Sequence, residues 1–183
     1  MRTTALTFLS RGQLGLQELG DPPPLGPAEI LIETVYTGIT NGTERHAFLS
    51  EHGYGGGQFP SRHGYQHVGR VAAVGPGVTR YAPGDWVFYG EYVGHRGWNI
   101  AAENALLIGL PAGIDPKYAA LFGVAGVALR SVRRMGVRAG DNVWVVGQGP
   151  IGLFTGPLGR ESRSRISSRR ACRPPGAAGR TSP

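Results

Sequence analysis

The residues best suited to chemistry lie late in the chain. Gly147-Gln148-Gly149-Pro150-Ile151-Gly152 fits the pattern G-x-G-x-x-G. Each small residue there has a separate task. Gly147 allows a tight turn, Gly149 lets a pyrophosphate approach the backbone, and Gly152 lets a helix pack closely on a strand. The preceding Val143-Trp144-Val145-Val146 is β-branched and aromatic without alternation, the pattern of a strand buried on both faces of a parallel sheet. A helix begun after the glycines would point free N–H groups and its positive end at phosphates. This segment is therefore a candidate dinucleotide site.

A dinucleotide turn needs a scaffold, and the residues before it supply one. Ala5–Phe8 and Leu14–Leu19 read as a strand pair ended by Pro22-Pro23-Pro24, because proline cannot donate to a ladder. Glu29–Tyr36, Val68–Val74, Trp86–Tyr89 and Ala101–Leu110 read as further strands. Turns rich in Gly and Pro separate them, and Gly53 with Gly55–Gly57 marks a loop. A short helix is expected over Thr43–Ser50, with Thr43 as its cap. Short strands at this spacing suit a barrel or a compact sandwich. Asp115 then caps a long helix with Pro116 at its first position, running to about Met135 and stopped by Gly136. The expected order is a mainly β module at 1–112, a linking helix and cofactor-domain start at 113–159, and an Arg-rich tail at 160–183.

Composition excludes several classes. No run of 18 apolar residues exists, so no membrane helix is expected, and the N-terminus lacks a signal-peptide pattern. A single cysteine, Cys172, excludes an internal disulfide and any cysteine-cluster metal site, which fits a cytoplasmic setting. Most of the formal charge of +7 comes from the tail, where 160–183 holds seven Arg against one Glu. The rest is near neutral. The tail has no aromatic residue to stack on bases, so nucleic acid is not the expected partner.

Several segments together resemble the medium-chain dehydrogenase/reductase superfamily, whose alcohol-dehydrogenase-like members join a GroES-like barrel to a Rossmann domain. Thr37-Gly38-Ile39 with Gly42-Thr43-Glu44-Arg45-His46 is similar to its first catalytic loop. His63-Gly64-Tyr65-Gln66-His67-Val68-Gly69 is similar to its G-H-E-x-x-G segment. Val74-Gly75 with Pro83-Gly84-Asp85-Trp86-Val87 looks like its barrel signature, and Asp141–Gly152 like its cofactor-domain entry. The Gly42–Arg45 and Gly64–Gln66 variants resemble the bacteriochlorophyllide-a-dehydrogenase-like branch.

The resemblance implies an NAD(P)-dependent oxidoreductase acting on a small molecule. It also implies where a zinc enzyme's ligands would stand, and they are absent. The first-loop Cys is replaced around Thr40-Asn41, the family His by Tyr65 and the Glu by Gln66, and Gly90–Gly97 holds no Cys. No metal site is assigned, since zinc needs thiolate, imidazole or carboxylate. His46, His52, His63, His67 and His95 form no ligand set at a recognised spacing, and His63 and His67 read as strand-end residues with hydrogen-bonded or exposed rings. In the resembling enzymes a loop Thr or Ser and a His three residues later pass a proton to solvent, a role open to Thr43 and His46. The alternative is a helix cap and an exposed His. Tyr65 stands either as a hydrogen-bond donor to a substrate carbonyl or as a packed aromatic.

Beyond Leu153–Thr155 the resemblance stops. Pro157 is expected to end the helix after barely one turn. Arg160 onward has one large aliphatic residue, Ile166, and reads as disordered. Arg170, Ala171 and Cys172 stand where the acid that binds the adenosine ribose would fall. Such a tail is what a GC-rich gene gives out of frame, so the chain reads as a truncated copy, inactive by itself and prone to self-association through an uncovered strand. The alternative functions are a stand-alone GroES-like binding module and a non-functional fragment.

Overall fold

A computed structural model describes residues 4–51, 58–161 and 165–169, the last for its backbone alone. The glycine loop at 52–57 and the tail at 162–164 and 170–183 lie outside the described residues. The chain divides into two compact units, Met1–Gly123 and Val124–Pro183.

The first unit is mainly β. Strand β1 (Thr4–Ser10) pairs antiparallel with β2 (Gln13–Glu18). The main sheet holds β3 (Glu29–Thr37), β4 (His67–Val74), β5 (Trp86–Tyr89), β6 (Trp98–Ala102) and β7 (Leu107–Gly109) in the order β6-β3-β4-β5-β7. All its neighbouring pairs are antiparallel. Alternation along these strands puts Ile30, Ile32, Val71, Val87, Tyr89, Ala101 and Leu107 into one apolar core. Full burial of an Ile or Val stabilises by about 1.5–3 kcal/mol, so these positions carry much of the unit.

Two expected boundaries move. Ala101–Leu110 is not one strand, because the chain turns at Glu103, whose carboxylate accepts the Thr79 and Arg80 amides at 2.7 and 2.6 Å. The long helix is two pieces, α2 (Pro116–Ala119) and α3 (Phe122–Arg134). Asp115 does cap α2, its side chain accepting the Lys117 amide at 3.1 Å, and Gly136 does follow α3 with φ +64. The break falls at Ala120-Leu121. Ala119 and Ala120 are buried with Val68 and Phe88, and the Ala120 carbonyl meets Gly38 so closely that no Cβ fits there. That contact is 82 positions apart in sequence, beyond the reach of helical periodicity.

The second unit contains β8 (Asn142–Val146), α4 (Pro150–Glu161) and β9 (Arg165–Arg169). Strands β8 and β9 pair in parallel from Asn142–Arg165 to Val146–Arg169, giving a βαβ unit. Three expectations are corrected here. Helix α4 continues through Pro157, whose fixed φ is helical even though its ring removes one amide donor. Arg160 and Glu161 lie in that helix, and Arg165–Arg169 is a strand, since a parallel neighbour supplies the backbone partners that its side chains do not call for. Strand β8 is not buried on both faces. Val145 is 9% exposed, but Trp144 and Val146 on the opposite face are 66% and 69% exposed. The βαβ unit covers the Val145 face and leaves the Trp144 and Val146 face largely exposed.

Glycine substitutions should separate close packing from mere flexibility. Gly38→Ala should destabilise by about 1–3 kcal/mol through the Ala120 clash. Gly126→Ala, in the middle of α3 with open space around it, should stabilise by about 0.5–1 kcal/mol. Urea denaturation of both variants checks the opposite signs.

Candidate functional site

In the second unit the glycine turn has the geometry its spacing asks for. Gly147 has φ +93, which side-chain-bearing residues rarely adopt. A Cβ at Gly152 would run into the Gly147 carbonyl oxygen, so helix and strand meet at backbone distance. Gly149 faces open space. Pro150 starts α4, where a missing amide costs nothing, and the Leu153 amide donates back to the Gly149 carbonyl at 2.9 Å. A cavity of about 480 Å³ opens beside the turn, lined among others by Met135, Trp144, Val146, Gly147 and Gly149. That size suits a small ligand or part of a larger one.

The candidate catalytic residues lie in the first unit. Helix α1 (Asn41–Leu49) starts two residues earlier than expected, so Thr43 is within it and Thr40 is the cap residue. The Thr40 side chain makes no capping bond. Instead, the Glu44 carboxylate reaches back and accepts the Thr40 amide at 2.7 Å and its hydroxyl at 2.9 Å. Thr43 and His46, three apart, share one helix face and are half-buried. His46 Nδ1 lies 2.9 Å from Glu51 Oε2, a carboxylate that Arg45 also holds. Tyr65 is on a separate loop, half-buried, its ring 4.7 Å from that of Tyr92. Its edge, with Gln66, leaves no room for a side chain at Gly123.

The structure also assembles a buried cluster that spacing did not reveal. Glu44 Oε2 and His95 Nε2 are 2.6 Å apart, both side chains under 10% exposed. Burial works to raise the Glu44 pKa, but the bonds from His95 and Thr40 outweigh it and hold the carboxyl below its usual value. His67 is fully buried, its ring 6.0 Å from Tyr89 and 6.4 Å from His95. Its ring nitrogens make no well-formed hydrogen bond among the described residues, the Gly64 backbone being the nearest polar group to act on the ring. The expected strand-end position holds, but the ring is buried and not exposed. His67 starts β4, the middle strand of the sheet, with Tyr89 opposite it on β5. Burial, followed by the nearby His95 and Arg96, pushes its pKa down to about 4. His63 is the conventional one, with Nε2 3.2 Å from the Ser61 hydroxyl and its ring stacked on Phe8. Only the Glu at the start of a helix, four residues after a Thr, hinted at this cluster. Its partner His95 is 51 positions away.

The alcohol dehydrogenase GroES-like domain matches residues 26–132, more than half of the chain. The chain belongs to this family, within the medium-chain dehydrogenase/reductase superfamily. The L-threonine 3-dehydrogenase of Solibacter usitatus is 30% identical, over 86% of this chain and 54% of the relative. The 2-desacetyl-2-hydroxyethyl bacteriochlorophyllide A dehydrogenase of Cereibacter sphaeroides is 35% identical over 48% of this chain and 27% of its own length. Among solved structures, a Helicobacter pylori CAD complexed with NADP(H) has a TM-score of 0.76 at 19% identity, over 92% of this chain and 59% of that one. The chain thus spans about half the length of the relatives it matches.

Within this family the zinc question turns on chemistry at matching positions. Tyr65 packs on Tyr92, the Gln66 amide donates to the Gly38 carbonyl at 3.4 Å, and Thr40 is bound to Glu44. None of the three is a zinc ligand type, and no group of three metal-ligating side chains occurs among the described residues. These positions do not fit zinc. Metal analysis after dialysis without chelator should find zinc far below stoichiometric. A tightly held zinc, lost on mutating His63 or His67, would establish a histidine site instead.

The buried histidine sets a pH dependence. Its folded pKa of about 4 lies below the ordinary 6.5, so the unfolded chain binds the extra proton. The stability it contributes is complete above pH 6.5 and is lost as pH falls towards 4, by about 3 kcal/mol. Urea denaturation at several pH values should show this slope in the native chain. His67→Asn should flatten it. An unchanged slope in that variant would remove His67 as the cause.

Proposed function

We propose that this chain carries the substrate-side barrel and the pyrophosphate-binding turn of a zinc-independent, NAD(P)-dependent oxidoreductase acting on a small alcohol or carbonyl compound. The observation that carries the reading is the turn itself. Gly147 is in the left-handed region, Gly149 is open, and Gly152 is in backbone contact with Gly147. Side chains at any of the three would block the turn, the phosphate approach or the helix packing. Bound there, a nicotinamide cofactor supplies hydride acceptance or donation.

The remaining tasks fall to the protein's own groups. Oxidising an alcohol also releases its hydroxyl proton, and Thr43 and His46 offer a hydroxyl and an imidazole on one helix face to carry it outward. Tyr65 stands at the family's metal-ligand position and can donate a hydrogen bond to a carbonyl oxygen, a weaker polariser than a metal ion. The Glu44–His95 contact keeps α1 in register, and with it Thr43 and His46.

By itself the 183-residue chain is read as inactive. Among the described residues one βαβ unit offers the phosphate turn, and the exposed Trp144 and Val146 face favours self-association over ligand binding. A cytoplasmic setting fits the single cysteine. The described residues include no helix long and apolar enough to cross a membrane.

A chimera tests the reading. Residues 1–153 joined to the remaining cofactor domain of the Solibacter usitatus relative should bind NADH or NADPH saturably, followed by nicotinamide fluorescence. Gly149→Val in that chimera should weaken binding at least about tenfold, roughly 1.4 kcal/mol, by blocking the phosphate. Equal binding by the two chimeras would refute the turn's role. Micromolar binding by the 183-residue chain alone would refute its inactivity.

A further inference from the structure

The pairing of β8 with β9 fixes which residue stands at the carboxyl end of the second strand. In an open parallel sheet, ligands bind beyond the carboxyl ends of the strands. The register runs from Asn142–Arg165 at one end to Val146–Arg169 at the other. Val146 directly precedes Gly147, so Arg169 holds the register position beside the glycine turn. In a dinucleotide-binding βαβ unit the residue at the end of the second strand meets the adenosine ribose, and its charge selects the cofactor. Spacing alone put Arg170, Ala171 and Cys172 there. The register puts Arg169 at the strand's end.

The two ends of this unit differ in charge. From Val124 onward the sequence has two acids, Asp141 and Glu161, and both stand at the amino ends of the strands. Asp141 directly precedes β8, and its carboxylate accepts the Arg138 amide at 2.7 Å. Glu161 is the last residue of α4 and precedes β9. No Asp or Glu occurs from 162 to 183, and at the other end of β9 the sequence reads Arg169-Arg170. The two nicotinamide cofactors differ at one place, the 2′ position of the adenosine ribose. NAD presents a free hydroxyl there, which a carboxylate accepts in a hydrogen bond. NADP presents a phosphate of about −1.5 to −2 charge, which a carboxylate repels. An arginine reverses the preference, because its planar fork of N–H donors matches phosphate oxygens.

We propose that this chain takes the 2′-phosphorylated cofactor NADP(H) in preference to NAD(H), with Arg169 as the residue that decides between them. The inference rests on the reading of Gly147, Gly149 and Gly152 as a pyrophosphate turn, and it names which of the two cofactors that turn serves. The backbone of Arg169 is set by its pairing with β8, the strand that leads into the turn. The unit's net charge acts in the same direction. Eleven arginines against two acids from Val124 onward make a field that favours the more negative nucleotide at long range. That field does not distinguish one position on the ribose from another, whereas a residue beside the turn does.

The full chain is titrated with NADP+ and, separately, with NAD+, followed by the backbone amide resonances of Gly147, Gly149 and Arg169. Affinity for either is expected to be weaker than micromolar, and the ratio between them is the readout. NADP+ should bind at least about fivefold tighter. Arg169→Gln should abolish the ratio and Arg169→Glu reverse it, while Arg169→Lys should keep most of it and so separate lost charge from lost folding. Arg165→Gln removes the same charge from the other end of β9, roughly 13 Å along the strand at about 3.3 Å per residue, and should leave the ratio unchanged. Adenosine 2′,5′-bisphosphate should likewise bind tighter than its 3′,5′ isomer of equal charge. Equal affinities for NADP+ and NAD+, or an equal loss in Arg165→Gln and Arg169→Gln, would overturn the inference and leave the reading of the turn intact. Gly147 and Gly149 amides that respond to neither nucleotide would overturn both together.

Discussion

The buried contact between Glu44 and His95 is the joint on which the first unit depends. His95 offers its side chain to helix α1, its carbonyl to the Leu6 amide of β1, and its amide to His63. One residue thus ties a helix, the outer hairpin and the loop leading to Tyr65. A carboxylate taken out of water is costly unless it is fully bonded. Glu44 meets that condition through His95 and both donors of Thr40, which also start the helix. Folding the helix and satisfying the charge are one event, so the positions of Thr43 and His46 follow from it.

Close backbone approach is the second constraint, and it recurs in both units. Gly38 meets the Ala120 carbonyl where the helical segment breaks, and Gly152 meets the Gly147 carbonyl where the phosphate turn closes. In each case the missing Cβ lets two backbones touch where side chains would hold them apart. The first contact decides where α2 stops, and the second decides the shape of the candidate cofactor site. At Gly123 the missing Cβ makes room instead for the side chains of Tyr65 and Gln66.

Polar groups in this protein divide by whether burial has been answered. Glu44 and the His95 Nε2 answer each other, while the buried His95 Nδ1 finds no partner among the described residues. His67 has at most a weak bond to the Gly64 backbone and stays neutral near pH 7, since burial drives its pKa to about 4. Arg62 and Arg96 find neutral oxygens. An enclosed imidazole can remain uncharged, whereas a guanidinium cannot release its proton. The histidine therefore titrates and the arginines stay charged.

The sequence by itself determined the local grammar. Turn residues and strand periodicity located β1 to β5, Asp115 and Pro116 marked the start of α2, and the spacing of Gly147, Gly149 and Gly152 announced a turn that the backbone adopts. These features depend on neighbours a few residues away, so composition and spacing report them. Tertiary structure alone decided the rest. It split the helix at Ala120, joined Glu44 to His95 across 51 positions, sealed His67 inside the sheet and left Trp144 exposed. It also made a strand of Arg165–Arg169, whose residues carry little β signal, by pairing it with β8. Such outcomes depend on which distant segments meet, and burial, charge pairing and backbone hydrogen bonding are settled only at that meeting.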